Sequence, residues 1–592
     1  MISSGIFILP SLAFSQLGSA VFIAYFIAGI LGLLGMLSIV ELSTAMPKAG
    51  GDYFFINKSL GPLFGTISGF LGWLALSLKS AFAIFGIAEI ILLYFGFDPL
   101  ISGLFLCLFF VGMNIIGVKQ SALFQILMLL SLLLLLIIYI FFGFSKVDLG
   151  NFSSLRTVRF NDILITSGFV FIAFGGLLKV ANVSEEIKNP KKNIPLGMLS
   201  SIIVITILYT FITFILTGTL DPEVFRNSLT PVADSARNIM GNPGFVMIII
   251  AAILAFFTTA NAGIMAASRY PIALARDNLI PHSLARISKK HKTPVISIIL
   301  TGILLYVSLL LPLEMLVKAA STVILTSYVL TNLSVIILRE SKIINYKPSF
   351  KSPLYPWLQI VCIILFSFFI FELGVASIEL SLSFLFLCTL IYMLYGRKMY
   401  NREYALLHLM KRITDKRLME NVFEDELREI LVDRENIEQD NFDNLIKNAD
   451  IIDIDDPMNF EELLKIVAEK IADKANISKN DIISRFLERQ NECNMAITDF
   501  FAIPHIMIEG EEIMFLTIVR SKKGIRFTEK ENEVKAVFFL GGTKEKRALH
   551  LKTIAAIATL VGTEDFQENW LKTENSIKLK NLMILSNRKR FH

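Results

Sequence analysis

Apolar side chains crowd the first two thirds of the chain in long runs, and short polar stretches punctuate them. Runs long enough to cross a bilayer, about 20 residues each, fall at 1–17, 19–46, 63–95, 99–117, 121–144, 163–182, 194–219, 243–268, 294–312, 315–338, 355–374 and 376–396. The pattern predicts twelve membrane helices, the first of them short. The loops between them alternate in character. "PKAGGDYFFINKSLGP", "KNPKKNIP", "RYPIALARDNLIPHSLARISKKHKTP" and "RESKIINYKPSFKSP" follow runs 2, 6, 8 and 10 and carry most of the Lys and Arg. The positive-inside rule places that side, and with it both ends of the membrane domain, in the cytoplasm of a multi-pass cell-membrane protein.

Beyond Gly396 the periodicity changes. Residues 397–417 are basic and read as an interfacial anchor facing anionic lipid. Residues 420–456 hold 14 acidic side chains against three basic ones, yet "FEDELREILVDRENI" keeps helical spacing. The stretch 397–456 is therefore expected to be a charged helical connector. From about residue 457, "NFEELLKIVAEKIADKA" predicts an amphipathic helix, "EIMFLTIVR" and "VKAVFFLGG" predict strands, and "KRALHLKTIAAIATLVG" predicts another helix. The alternation points to a small cytoplasmic α/β domain over 457–592. The expected class is an all-α polytopic membrane domain over 1–396 followed by that α/β domain.

Composition narrows the picture. Hydrophobic residues make up 54% of the 592 and the mean hydropathy is +0.63, so lipid is the solvent for most of the chain. The formal charge of +5 gives no nucleic-acid surface, because the basic residues sit in short loops between apolar runs. Cys107, Cys362, Cys388 and Cys493 form no CxxC, and the six histidines form no HExxH, which argues against disulfides, structural zinc and any cofactor.

The candidate chemistry lies where the apolar runs contain helix breakers. "MISSGIFILP" opens the chain with Ser3, Ser4 and Gly5 inside an apolar run, and "FIAFGGLLKV" places Gly175-Gly176 in the middle of the sixth. Small residues also pack helices together, and for Ser-Ser-Gly alone that reading is about twice as common. Two interrupted helices five elements apart shift the balance. That is the spacing of a five-helix inverted repeat, in which broken helices turn backbone groups toward a substrate.

These segments resemble the amino acid–polyamine–organocation transporter superfamily. "ISSGIFILP" looks like its first-helix motif and "VELSTAMPKAGGDYFF" its helix 2 signature. "AFGG" with "SEEIKNPKKNIP" looks like its helix 6 and following loop, and "NAGIMAASRYPIALARDNLIP" like the end of its helix 8. The resemblance implies twelve helices with an inverted repeat, alternating access and an amino acid or related amine as substrate. The carboxylate would meet backbone at Ser3, Ser4, Gly5 and Ile6, and the amino group would meet carbonyls around Ala173, Phe174 and Gly175, beside Gly176. Ser3 departs from the usual first glycine. Leu178 stands where relatives selective for cations carry an acid, and Ile172 stands in place of a bulky aromatic gate; both departures favour a neutral, apolar side chain on the substrate. If the first-helix break is at 3–5, roughly ten residues of half-helix belong before it, and Met1 is expected to be an internal methionine.

Coupling candidates are fewer. Lys79 lies near the centre of the third run and Lys179 just beyond the sixth-run break, and a charge at that depth is a functional candidate by default. The alternatives are pairing with backbone carbonyls and snorkelling. Some relatives carry a proton-coupling lysine in helix 5; the fifth run here has none, so Lys79 is the substitute and H+ is favoured over Na+. Thr258, Thr259 and Asn261 in the eighth run offer sodium oxygens, although such hydroxyls more often bond their own helix.

In the C-terminal part, "ITDFFAIPHIMIEG" sets His505 after a proline, with Arg489 16 residues upstream and His550 45 downstream. This resembles the IIA domain of the fructose–mannitol branch of the sugar phosphotransferase system. The resemblance implies His505 as phosphate acceptor, Arg489 as its cation, His550 as hydrogen-bonding partner and a phosphocarrier protein as donor. Ile506, where the family has a small residue, points instead to a regulatory domain. Exchange of two amino acids, a non-transporting amino acid receptor and a phosphotransferase remain the alternatives to proton-coupled uptake.

Overall fold

The computed structural model describes residues 5–48, 50–117, 122–182, 184–288, 290–343, 346–397, 404–407, 409, 428–432, 437, 439–475, 477–492, 495–509, 513–527, 533–562, 564–573, 576–586, 588 and 590. They divide into two compact units, Met1–Ile430 and Leu431–His592. Ser3 and Ser4 lie outside the described residues.

The first unit is helical. Its helices are α1 (Gly5–Leu17), α2 (Val21–Ala45), α3 (Asp52–Leu60), α4 (Pro62–Phe95), α5 (Pro99–Ile116), α6 (Ala122–Phe144), α7 (Phe160–Val170), α8 (Leu177–Asn182), α9 (Pro190–Thr219) and α10 (Pro222–Asn227). They continue with α11 (Pro231–Ala267), α12 (Arg269–Arg276), α13 (Val295–Ser308), α14 (Leu313–Glu340), α15 (Trp357–Glu372) and α16 (Val375–Ile391). Among the described residues, seven helical stretches are long and apolar enough to span a membrane, and four shorter apolar helices accompany them.

Local chemistry sets the boundaries. Asp98 caps α5 by accepting from the amides of Leu100 and Ile101 at 2.8 and 3.1 Å, with Pro99 in the first turn. Gly241 (φ 69°) breaks α11 ahead of Pro243, so the apolar half begins where the sequence pattern places it. Close packing relies on missing side chains: a Cβ on Gly72 would lie 2.3 Å from the Tyr270 ring, so α4 takes the phenol directly against its backbone.

Several buried polar side chains are held in networks. Glu41 of α2 is fully buried and accepts from Arg339 Nε and an Arg339 terminal nitrogen (2.8 and 2.6 Å), Tyr346 (2.9 Å), and the Ser352 amide and hydroxyl (2.8 and 2.6 Å). The carboxylate of the "VELSTAMPKAGGDYFF" segment is thereby satisfied by α14 and the loop after it. Further along the same segment, Tyr270 donates to Asp52 at 2.5 Å and Tyr53 donates to Asp277 at 2.5 Å.

The second unit comprises α17 (Asn441–Asn448), β1 (Asp450–Ile454), β2 (Met458–Asn459), α18 (Phe460–Ala475), α19 (Lys479–Glu492), β3 (Phe501–Ala502), β4 (His505–Ile508), β5 (Met514–Arg526), β6 (Glu533–Thr543), α20 (Arg547–Val561), α21 (Glu564–Lys572) and α22 (Ser576–Ile584). Residues 441–454 of the acidic stretch thus fold into this unit. The sheet order is β1-β5-β6-β3, with β2 also beside β5 and β4 beside β6. The β5–β6 pair is antiparallel (Ile518↔Phe538), and the other pairs are parallel. Both faces are covered: Val519, Val537 and Phe539 pack on Phe460, Leu463 and Phe486, whereas Ile518, Phe538 and Leu540 pack on Ile557 and Trp570. That explains the near-continuous apolar runs of both central strands. A buried cluster in which Arg588 bonds Asp440 at 2.6 and 2.8 Å ties the end of the unit to its start.

Candidate functional site

The sixth apolar run is broken at the predicted place. After α7 the backbone tightens into a 3-10 turn over Phe171–Phe174, turns at Gly175-Gly176 and resumes as α8. Ile172, Ala173 and Phe174 are buried. The start of α1 abuts this break: a Cβ on Gly5 would lie 2.9 Å from Ala173 Cβ and 3.1 Å from Ala173 Cα. Glycine at position 5 is what lets the two backbones meet, and Ile6 beside it is fully buried. On the other side, a Cβ on Gly175 would meet Ile324 of α14 at 2.5 Å.

Lys79 reaches the same break. It is 2% exposed on α4, and its Nζ donates to the Ile172 carbonyl at 3.1 Å. The Gly175 amide donates to that carbonyl at 3.0 Å. The structure therefore brings together Gly5, Ile6, Ile172, Ala173, Phe174, Gly175 and Lys79. Lys179 belongs to α8, and its side chain lies outside the described residues. Thr258 donates its hydroxyl to Leu254 and Ala255 of its own helix (2.9 and 3.0 Å), Thr259 is buried, and Asn261 accepts from Asn114 at 2.9 Å.

One residue of interest escaped sequence reasoning. Glu89 shares α4 with Lys79, and the two are the only charged residues from 62 to 95. That isolation was the available signal. Glu89 lines a cavity of ≈ 10 Å³ with Phe7 and Ile8 of α1.

In the second unit, Pro504 leads into β4, and His505 opens it half-buried. His505 Nδ1 lies 3.0 Å from the Ile503 carbonyl. A carbonyl can only accept, so Nδ1 carries a proton, and in the neutral ring Nε2 is the nitrogen with the lone pair. The His550 ring stands 5.8 Å away, centroid to centroid, at 65°. His550 is 3% exposed, and neither ring nitrogen has a hydrogen-bond partner among the described residues. Its pKa is pushed down to about 4, chiefly by burial and then by the charge on His505. Arg489 stands on α19, which packs on β4, and pairs with Glu492 at 2.8 Å. One turn earlier, Arg485 bonds the Met507 carbonyl of β4 at 3.3 Å, a contact the sequence did not signal.

Apolar helices, one of them interrupted at 171–176, followed by a separate α/β unit, define a multi-pass membrane protein with an appended domain. The amino acid permease family model matches residues 1–403, most of the chain, and the protein belongs to that family. Residues 445–585 match the EIIA 2 domain of the phosphoenolpyruvate-dependent sugar phosphotransferase system. The branched-chain amino acid permease BcaP of Bacillus subtilis (strain 168) is 28% identical over 426 residues, covering 67% of this chain and 90% of that protein. A methylthioribose transporter of the same organism is 27% identical, covering 67% and 90%. Its serine/threonine exchanger SteT is 28% identical, covering 61% and 85%. Among solved structures, nitrogen regulatory protein IIA-Ntr from Neisseria meningitidis is similar at 14% identity and a TM-score of 0.21, covering 22% of this chain and 91% of that one.

Proposed function

We propose that the protein takes up a neutral amino acid by alternating access, driven by protons, through twelve membrane helices with a five-helix inverted repeat over 1–396. The observation that carries this is the meeting of α1 at Gly5 with the unwound segment 171–176, where Lys79 sits on the Ile172 carbonyl. Unwound backbone at that depth is tolerated where it lines a cavity, and the amides and carbonyls of a broken helix suit a zwitterion. Packing fits the repeat: α1 lies against α7 and α2 against α9, the pairs that a 1–5/6–10 relation makes equivalent. Relatives named for branched-chain amino acids and for serine/threonine handle uncharged side chains, in keeping with Leu178 and Ile172 here. Ser3, Ser4, Gly5 and Ile6 would hold the carboxylate, segment 172–176 would hold the amino group, and Lys79 is the coupling cation. Both termini face the cytoplasm.

The second unit, with its connector, is read as a cytoplasmic regulatory domain. His505 Nε2 is the acceptor of a phosphoryl group from a phosphocarrier protein, and the cations of α19 meet the phosphate oxygens. Incubating the full chain with a phosphorylated carrier and assaying phosphohistidine tests this; label retained in His505→Ala would sink the assignment.

Reconstitution in liposomes tests the transport reading. Uptake from a panel of amino acids, with methylthioribose included because a relative is named for it, is expected to peak at a neutral apolar side chain and to rise with an inward proton gradient. Flux only against internal amino acid would make the protein an exchanger, and binding without flux would make it a receptor.

A further inference from the structure

Glu89 is the acid on α4 that the site around Ile172 does not use. It lies ten residues beyond Lys79, about 15 Å along the helix, toward the end away from the Lys- and Arg-rich loops. The carboxyl is half-buried and makes no hydrogen bond or ion pair with any described residue. Its surroundings are apolar: Phe7 and Ile8 of α1, Ile90 of its own helix, and Val232, Ile248 and Phe256 of α11, with Thr230 adding a hydroxyl. The cavity of ≈ 10 Å³ holds about one water. One turn earlier the packing is tighter still, since a Cβ on Gly86 would lie 2.7 Å from the Phe256 ring and 2.8 Å from Ile8 Cδ1.

Among the described residues, no neighbouring charge compensates for it. Neither α1 nor α5 carries a charged residue. On the first half of α11, Asp234 accepts from the Ser228 hydroxyl at 2.6 Å, and Arg237 lies 3.8 Å over the Phe245 ring. Glu223 and Arg226 of α10 are exposed, and Asp98 caps α5. An ionised carboxylate here has room for about one water and no cation among the described residues, and an unpaired charge in apolar packing costs several kcal/mol. The neutral acid fits the closed packing; the carboxylate requires α1 to draw back and admit water.

We propose that Glu89 is a second proton-carrying group of the coupling path, one that loads and releases the proton while Lys79 stays the cation at the broken helix, on the reading of the chain as a proton-driven amino acid transporter. The carboxylate takes a proton from the side opposite the basic loops, and the neutral acid lets α1 close against α4 and α11. The same proton leaves when α1 moves again, toward the other side. Closure of α1 carries Gly5 against Ala173, so protonation and substrate enclosure act on one helix.

The test is transport by the full chain in liposomes, comparing wild type, Glu89→Gln and Glu89→Asp. Two readouts are taken: uptake driven by an inward gradient of one pH unit, worth about a tenfold accumulation, and counterflow against internal amino acid with no gradient. Wild type is expected to show both. Glu89→Gln, a permanent neutral acid, is expected to keep counterflow within about twofold and lose the response to the gradient. Glu89→Asp is expected to keep the response with a displaced pH profile. A Glu89→Gln protein that still follows the gradient overturns the proposal, and so does one that loses counterflow together with it. If Glu89→Gln is not recovered folded, an unaltered pH profile in Glu89→Asp overturns it. Counterflow without any gradient response in wild type removes proton coupling itself, and absence of both in wild type removes the transport reading.

Discussion

Gly5→Ala is the smallest change that probes whether α1 and the broken helix must touch. The new methyl would stand 2.9 Å from Ala173 Cβ, 3.1 Å from Ala173 Cα and 3.2 Å from Leu9 Cδ1. Leu9 can turn aside, but Ala173 Cα is backbone in a tight turn, so the segments must part by about half an ångström to regain ordinary contact. Overpacking of this size costs about 1–3 kcal/mol. Because the clash exists only while α1 is seated on the break, that energy acts against one conformation, a shift of about 5- to 150-fold in its population. Uptake in liposomes should fall at least about fivefold, with thermal unfolding of the purified protein lowered only slightly. Gly112→Ala is the control, because a Cβ there meets nothing within 4 Å and the helix gains propensity. Wild-type uptake and affinity in Gly5→Ala would refute the argument that this contact is part of the working cycle.

Arg339→Gln should strand the Glu41 carboxylate, which is fully buried, and lower stability by about 3–5 kcal/mol, read as a depressed unfolding temperature. Arg339→Lys should recover little of it, since an ammonium cannot make the paired bonds at 2.6 and 2.8 Å. His550 titrates at about 4 in the fold against about 6.5 for a free imidazole, so the unfolded chain takes the proton first on acidification. Its contribution is complete above pH 6.5 and is lost between pH 6.5 and 4, by about 3 kcal/mol. Hydrogen exchange of the Arg547–Val561 helix, corrected for intrinsic rates, should report that loss, and His550→Leu should abolish it.

Membrane helices were legible because lipid contact demands long apolar runs whatever the partner. The first half of α11 was not: "PVADSARNIM" is too polar for such a run, and its helix is seen only in the fold. The break at Gly175-Gly176 could be read because glycine pairs are costly inside a helix, but its partners could not. Lys79 is 93 residues from Ile172, and Arg339 is 298 from Glu41; no local pattern encodes such contacts. Strand β1 hid inside the acidic stretch, where charge drew attention from "DIIDI", whose pairing with Thr517–Ser521 of β5 turns it into sheet. The pairing of His505 with His550 was recovered by resemblance alone.

The Ile172 carbonyl has two lone pairs, and both are used: the Gly175 amide takes one to shape the turn, and Lys79 takes the other. On the proposed reading, a substrate ammonium arriving at the broken helix meets a carbonyl already occupied by a cation. It must settle on the carbonyls of Ala173 or Phe174, or else displace Lys79. Two ammonium groups sharing one turn repel each other in a poorly screened site, so the lysine can stay only if a carboxylate joins them. The substrate brings that carboxylate itself. A zwitterion therefore satisfies the site where a simple amine would not, which gives Lys79 a part in selecting amino acids over amines.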